Sequence, residues 1–164
     1  MALAGFISGP YSSTYNSVAT GPTKDGYRIT HQMGNQAIDQ SDTYGDSLLD
    51  FVTRGGSVRI TYTCLAYAGG ISPIYPFASS LWTLSAAATP IGRLASDIAQ
   101  SLVLTSTAST PAAATPASLT ATKAIVPPNF SVDLLYDSRL REVPVQLVFL
   151  PVASGGTVTW VTAT

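Results

Sequence analysis

Ser57-Val58-Arg59-Ile60-Thr61-Tyr62-Thr63-Cys64-Leu65 is the run on which the fold turns. Its apolar side chains fall at 58, 60, 62 and 64, with Arg59, Thr61 and Thr63 between them. A period of two in a run rich in β-branched residues marks a strand with one buried face. Upstream, Tyr27, Ile29, His31 and Met33 share a face of the run Tyr27 to Met33. Downstream, Ser131 to Tyr136 and Thr157 to Val161 read as further strands. Val145 to Leu150 is apolar on both faces after Gln146, as a central strand is. Alternation resumes from Leu119 to Val126, so the Ala/Thr/Ser/Pro-rich stretch from Thr105 to Thr122 reads as a hairpin with a Pro-rich tip rather than a linker. Turn formers fall between these runs, at Gly21-Pro22, Gly55-Gly56, Gly69-Gly70, Pro127-Pro128 and Gly155-Gly156. The pattern predicts a mainly β chain, an antiparallel sandwich or barrel. Pro73 to Trp82 is expected to open a short helix, and Gly92 to Gln100 to form one helical turn or an ordered loop. With 164 residues and no internal repeat, the chain suits a single domain, 1–164.

The segment from Asn35 to Arg54 holds four of the nine acidic residues, Asp39, Asp42, Asp46 and Asp50. Two short strand-like pieces, Ala37 to Gln40 and Leu48 to Thr53, flank a turn with Ser41, Asp42 and Gly45. We expect a long hairpin, residues 35–56, leaving the body as an extended arm. Such an arm is marginal in water unless something packs against it. A neighbouring subunit would supply that partner.

Composition points the same way. The chain is 46% hydrophobic but only 10% charged, against a usual charged share of about 25%. Its surface must therefore be largely Thr, Ser, Ala, Tyr and Pro, which a neighbour covers without desolvating charges. The net charge is -1, and the six arginines and two lysines are scattered, with Arg139 and Arg141 the only close pair. Phosphate backbones call for a clustered basic face, so specific nucleic-acid binding is not expected. The opening Met1-Ala2-Leu3-Ala4-Gly5-Phe6-Ile7 is short for a secretion signal and lacks its positive flank. No run approaches the roughly 20 apolar residues of a membrane helix. Synthesis in the cytoplasm is expected, with no membrane partner.

Candidate chemistry is sparse. Cys64 is the only cysteine, which excludes an internal disulfide and a Cys-based zinc site. On the face of Val58, Ile60 and Tyr62, it is expected to be a buried, inert thiol. His31 is the only histidine and sits mid-strand, and no Gly-x-Ser-x-Gly elbow is present. The aspartates at 39, 42, 46 and 50 are spaced three, four and four apart, whereas calcium loops alternate ligands and close on a glutamate. The one glutamate is Glu142. Trp82 and Trp160 could serve a carbohydrate-binding module as sugar platforms, but their apolar neighbours favour core packing. The expectation is no catalysis, no metal and no cofactor.

The order of several pieces resembles the major tail tube proteins of long-tailed phages. These are Gly9-Pro10-Tyr11-Ser12-Ser13-Thr14-Tyr15-Asn16 with Asp25-Gly26-Tyr27, and Asp42-Thr43-Tyr44-Gly45-Asp46-Ser47 with Arg54-Gly55-Gly56. Pro90-Ile91-Gly92-Arg93-Leu94-Ala95-Ser96-Asp97 follows, then the Ala/Thr/Pro stretch and Tyr136-Asp137-Ser138-Arg139-Leu140-Arg141 before Val143-Pro144-Val145. The likeness runs from about Gly9 to Trp160, and it rests on order and spacing rather than any single motif. It implies a β-sandwich or barrel-like tail tube fold with one short helix and a long hairpin arm. It further implies hexameric rings stacked into a tube that conducts phage DNA, with terminator, distal tail or sheath proteins as partners in the virion. Asp39, Asp42, Tyr44, Asp46, Asp50 and Arg54 become candidates for contacts between subunits or rings. Arg93 and Asp97 join them, either paired with each other or bridging subunits. Terminator, neck and tail-completion proteins, which form rings without long tubes, share the same features.

Overall fold

A computed structural model describes residues 10–39, 48–65, 94–107, 116–127, 130 and 142–164. In chain order the elements are β1 (Tyr11–Tyr15), β2 (Val18–Ala19), β3 (Arg28–Asp39), β4 (Leu48–Cys64), α1 (Ala95–Ile98), β5 (Gln100–Ser106), β6 (Ser118–Ile125), β7 (Val143–Phe149), β8 (Val152–Ser154), β9 (Thr157–Thr159) and β10 (Thr162–Ala163). All pairings are antiparallel, and the main sheet runs β2-β1-β5-β6-β7-β4-β3, with β10 beside β6. Strands β8 and β9 form a small separate hairpin.

The run that decided the fold class is the second half of β4. It pairs with β7 so that Val58 faces Phe149, Ile60 faces Leu147, Tyr62 faces Val145 and Cys64 faces Val143. All eight are buried, as period-two alternation in both strands requires. Leu102, Leu104, Ala121, Ala124 and Tyr15 carry the same face across β5, β6 and β1. Among the described residues the core is thus one face of one sheet. Residues on the other face, such as Arg59, Thr61, Gln146 and Val148, are half-buried.

The sheet closes on itself at one end, because residues from its two edges meet there. Asn16 and Ser17 both take positive φ, 49° and 64°, in the two-residue turn joining β1 to β2. That twist suits a tight hairpin. The chain then crosses to the far edge, where Thr23 bridges Cys64 and the Lys24 N–H donates to the Thr63 carbonyl at 3.0 Å. The Ser13 and Thr20 hydroxyls bond each other, the Cys64 thiol donates to the Thr20 carbonyl at 3.2 Å, and the Tyr27 hydroxyl donates to Ser13 Oγ at 2.9 Å. Each polar group buried in this strap has a partner, so closure leaves no unpaired hydroxyl to penalise it. Lys24 Nζ reaches both Glu142 carboxylate oxygens, at 2.7 and 2.8 Å, on the outside.

Of the Gly92 to Gln100 segment, Gly92 and Arg93 lie outside the described residues; Ala95–Ile98 form one helical turn, α1, and β5 begins at Gln100. The hairpin around the Pro-rich stretch is β5–β6, closed by the Ser106 N–H on the Ala117 carbonyl at 2.9 Å; its tip lies outside the described residues. The Ser131 to Tyr136 strand and the Pro73 to Trp82 helix also lie outside them. Trp160 is half-buried against the core, as its neighbours indicated. Among the described residues no helix is long and apolar enough to cross a membrane.

Two consequences are measurable. Leu147 is fully buried opposite Ile60, so Leu147→Ala should cost about 2–5 kcal/mol, read from the urea midpoint. Burial pushes the Tyr15 phenol up to about 12 from 10.0; its hydroxyl donates to the Ala124 carbonyl at 3.2 Å. The folded protein therefore holds this proton while the unfolded chain releases it above pH 10.0. Stability from this group is intact below that pH and falls as the pH rises toward about 12, by about 3 kcal/mol in all. Tyr15→Phe should remove that alkaline decline in urea titrations.

Candidate functional site

Strand β4 keeps β7 as a partner only along residues 58–64. From Ser57 back to Leu48 its one partner among the described residues is β3, so the β3–β4 hairpin continues past β7 as the arm. The two strand-like pieces read from the sequence are the outer ends of these body strands, not separate elements. Gly55-Gly56 was read as a break between strands, yet the ladder runs through it. Gly34 pairs with Gly55 and Asn35 with Thr53, which leaves Arg54 as an extra residue in a bulge. Gly55 has φ 122°, a conformation side-chain-bearing residues avoid, so glycine here bends the ladder without ending it. A second shift, between Ile38 and Asp39, leaves Leu49 unpaired near the tip.

The candidate contact residues divide accordingly. Arg54 is exposed at the arm's root. Asp39 stands opposite Leu48, and Asp50 opposite Ile38, on the outer arm. Asp42, Tyr44, Asp46 and Arg93 lie outside the described residues. Asp97 is exposed in α1, and its N–H donates to the Leu94 carbonyl at 3.0 Å. Since α1 leads into Gln100, opposite Ala124, Asp97 belongs to the end of the sheet away from the arm. The structure therefore does not bring Asp97 together with the arm residues.

A second feature is a groove of about 850 Å³ at the arm end of the sheet. Tyr27, Ile29 and His31, read from sequence as one face of a strand, line one wall; Leu104, Leu119 and Trp160 line the other side. Among the described residues no Asp, Glu, Lys or Arg side chain lines it. The His31 and Trp160 rings lie 6.3 Å apart between centroids, tilted by 48°. A Cβ on Gly56 would sit 3.1 Å from His31 Nε2, so glycine at 56 lets the imidazole lie close over the strand. Sequence reading found the wall but not the groove, because Leu104, Leu119 and Trp160 come from distant strands. Ile29 and Met33, 38% and 55% exposed, share the face of Ile60 and Val58 but stay open to the groove side instead of packing into the core.

This geometry offers little chemistry. His31 stands opposite Val58, six residues from Cys64 along β4, so the two are about 20 Å apart and form no pair. Among the described residues no three His, Cys, Asp or Glu side chains gather as metal ligands. What the arrangement provides is surface: a long strand edge, a projecting hairpin and an apolar groove beside its root. No protein-family model and no curated protein matches the chain.

The bulge makes a paired prediction. Gly55→Ala should cost about 1–3 kcal/mol from backbone strain. Gly34→Ala should cost less, because its Cβ would meet only the Gly55 carbonyl, at an ordinary 3.6 Å. Urea unfolding measures both, and faster exchange of the Asn35 and Gln36 amides in Gly55→Ala would localise the effect to the arm's root.

Proposed function

We propose that the chain is a structural subunit that assembles with copies of itself into rings, hexameric by family likeness, stacked as the tail tube of a long-tailed phage. The arm is the observation that carries this reading. Beyond Ser57 it is a two-stranded hairpin, marginal on its own in water. Met33 and Val52 on it are 55% and 51% exposed. A neighbouring ring would cover that surface, with Asp39, Asp42, Tyr44, Asp46, Asp50 and Arg54 as contact candidates. Asp97 is a candidate at the opposite end, and Arg93 a candidate outside the described residues.

The outer edge of β3 supports the same reading. Among the described residues no strand pairs with it along Arg28–Asp39. Long open edges invite pairing with other chains, and a ring closed by head-to-tail contacts would use this one. In this reading the work is mechanical, without catalysis or cofactor. DNA passes through the lumen without specific binding, in keeping with scattered basic residues and a net charge of -1. Terminator, distal tail and, in a contractile tail, sheath proteins are the partners, in a virion built in the bacterial cytoplasm. A terminator, neck or tail-completion role shares the arm argument and differs in that rings do not stack. Carbohydrate or receptor binding is less well supported, since the groove offers mainly apolar walls and few hydrogen-bonding groups.

Electron microscopy of the purified chain across concentrations tests the proposal, beside a variant lacking Asp42 to Ser47. The full chain should form hollow tubes with a regular ring repeat. The deletion should keep the same circular dichroism but form none. Rings that never stack would favour the terminator or neck reading. Discrete monomers at high concentration would overturn self-assembly, and normal tubes from the deletion would overturn the role of the arm.

A further inference from the structure

Among the described residues no Asp, Glu, Lys or Arg makes the apolar groove beside the arm a polar ligand site, and its volume is large enough for several big side chains. Its position limits what can fill it. Pro10 and Tyr11 line its mouth. The Pro10 carbonyl accepts from both the N–H and the Oγ1 of Thr107, each at 2.9 Å, and the Tyr11 hydroxyl donates to the Pro116 carbonyl at 2.7 Å. The chain preceding Pro10 therefore starts from a fixed point on the groove itself. That stretch, Met1-Ala2-Leu3-Ala4-Gly5-Phe6-Ile7-Ser8-Gly9, has no charged side chain and carries Leu3, Phe6 and Ile7.

The other stretches outside the described residues fit less well. Residues 66–93 are apolar too, but they leave from Leu65 and return at Leu94, at the far end of the sheet where Cys64 meets Val143 and Gln100 meets Ala124. Residues 131–141 lie between Phe130 and Glu142; Glu142 adjoins Val143 at that same far end, and they carry charges at Asp133, Asp137, Arg139 and Arg141. At the groove end, residues 108–115 contain only Ala, Ser, Thr and Pro, while residues 40–47, at the arm tip, carry Asp42 and Asp46. We infer that the N-terminal segment docks in the groove of its own chain, with Leu3, Phe6 and Ile7 as its apolar anchors against Ile29, Val58 and Trp160. Burial of large apolar side chains drives such docking, and short anchored segments lose little entropy in doing so.

The test uses the full chain with a photoreactive benzophenone amino acid in place of Phe6, mixed as heavy-isotope-labelled and unlabelled protein. Irradiation and mass spectrometry should find adducts on Ile29, Val58 or Trp160, each within one isotopic chain. Mixed-isotope adducts at those residues would mean that a second copy fills the groove, and adducts elsewhere would place the segment off it. Either result overturns the inference. Independently, in a Trp82→Phe background, Phe6→Asp should redshift Trp160 emission and at least double its acrylamide quenching, with circular dichroism unchanged. A synthetic peptide of residues 1–9 should reverse much of that change in a chain lacking residues 2–8. Quenching of Trp160 that is unmoved by Phe6→Asp would also overturn the inference. All of these readings are independent of whether tubes form.

Discussion

Strand β4 is 17 residues long, yet it has a strand on both sides along only residues 58–64. That inequality organises the molecule. Where β4 lies between β3 and β7, its alternate residues enter a core shared with β5, β6 and β1, and cross-strand pairs such as Ile60 with Leu147 hold it. Beyond the end of β7, the same strand pairs only with β3 among the described residues. One continuous ladder thus serves as scaffold at one end and as free surface at the other. The two regimes meet between Val58 and Ser57, and the bulge at Gly55 and Arg54 follows just beyond, on the arm side.

Much of the scaffold was legible in the sequence, and the reasons are local. Val58, Ile60, Tyr62 and Cys64 alternate without interruption, and Val145, Leu147 and Phe149 repeat the pattern opposite them. The central place of β7 followed from apolar residues on both its faces. By contrast, β1 is Tyr-Ser-Ser-Thr-Tyr, whose hydroxyls look solvent-facing until Ser13 proves to be buried against Thr20. Its turn, Asn16-Ser17, lacks the glycine that usually signals a tight hairpin, though asparagine tolerates positive φ. Glycine misled in the other direction at 55 and 56, where it marks a bulge inside a strand instead of a break between two.

The candidate site was legible only in part, for a related physical reason. Arg54 and the arm aspartates stand out as a local cluster, and the arm's existence follows from local alternation. The groove depends on chain closure: it needs Tyr11, Leu104 and Trp160 brought to Ile29 from three distant stretches. No short-range pattern encodes such a meeting. The strap that enforces closure, Thr20 through Lys24, is equally silent as sequence, because its bonds to Thr63 and Cys64 join residues far apart in the chain.

The pairing of β10 with β6 has a temporal side. Thr164 and Ser118 exchange backbone hydrogen bonds at 2.9 and 3.0 Å, and Thr162 sits opposite Thr120. Strand β6 is thus flanked by β5, made just before it, and by residues made more than 40 positions later. During translation the β5–β6 hairpin can form early, but the flank reserved for β10 stays open until those late residues leave the ribosome. A nascent chain stalled before Thr162 would expose that flank to foreign strands. Continued synthesis is therefore itself a safeguard, since β10, made after the other described strands of this sheet, seals an edge that a chain stalled before it would offer to any neighbour.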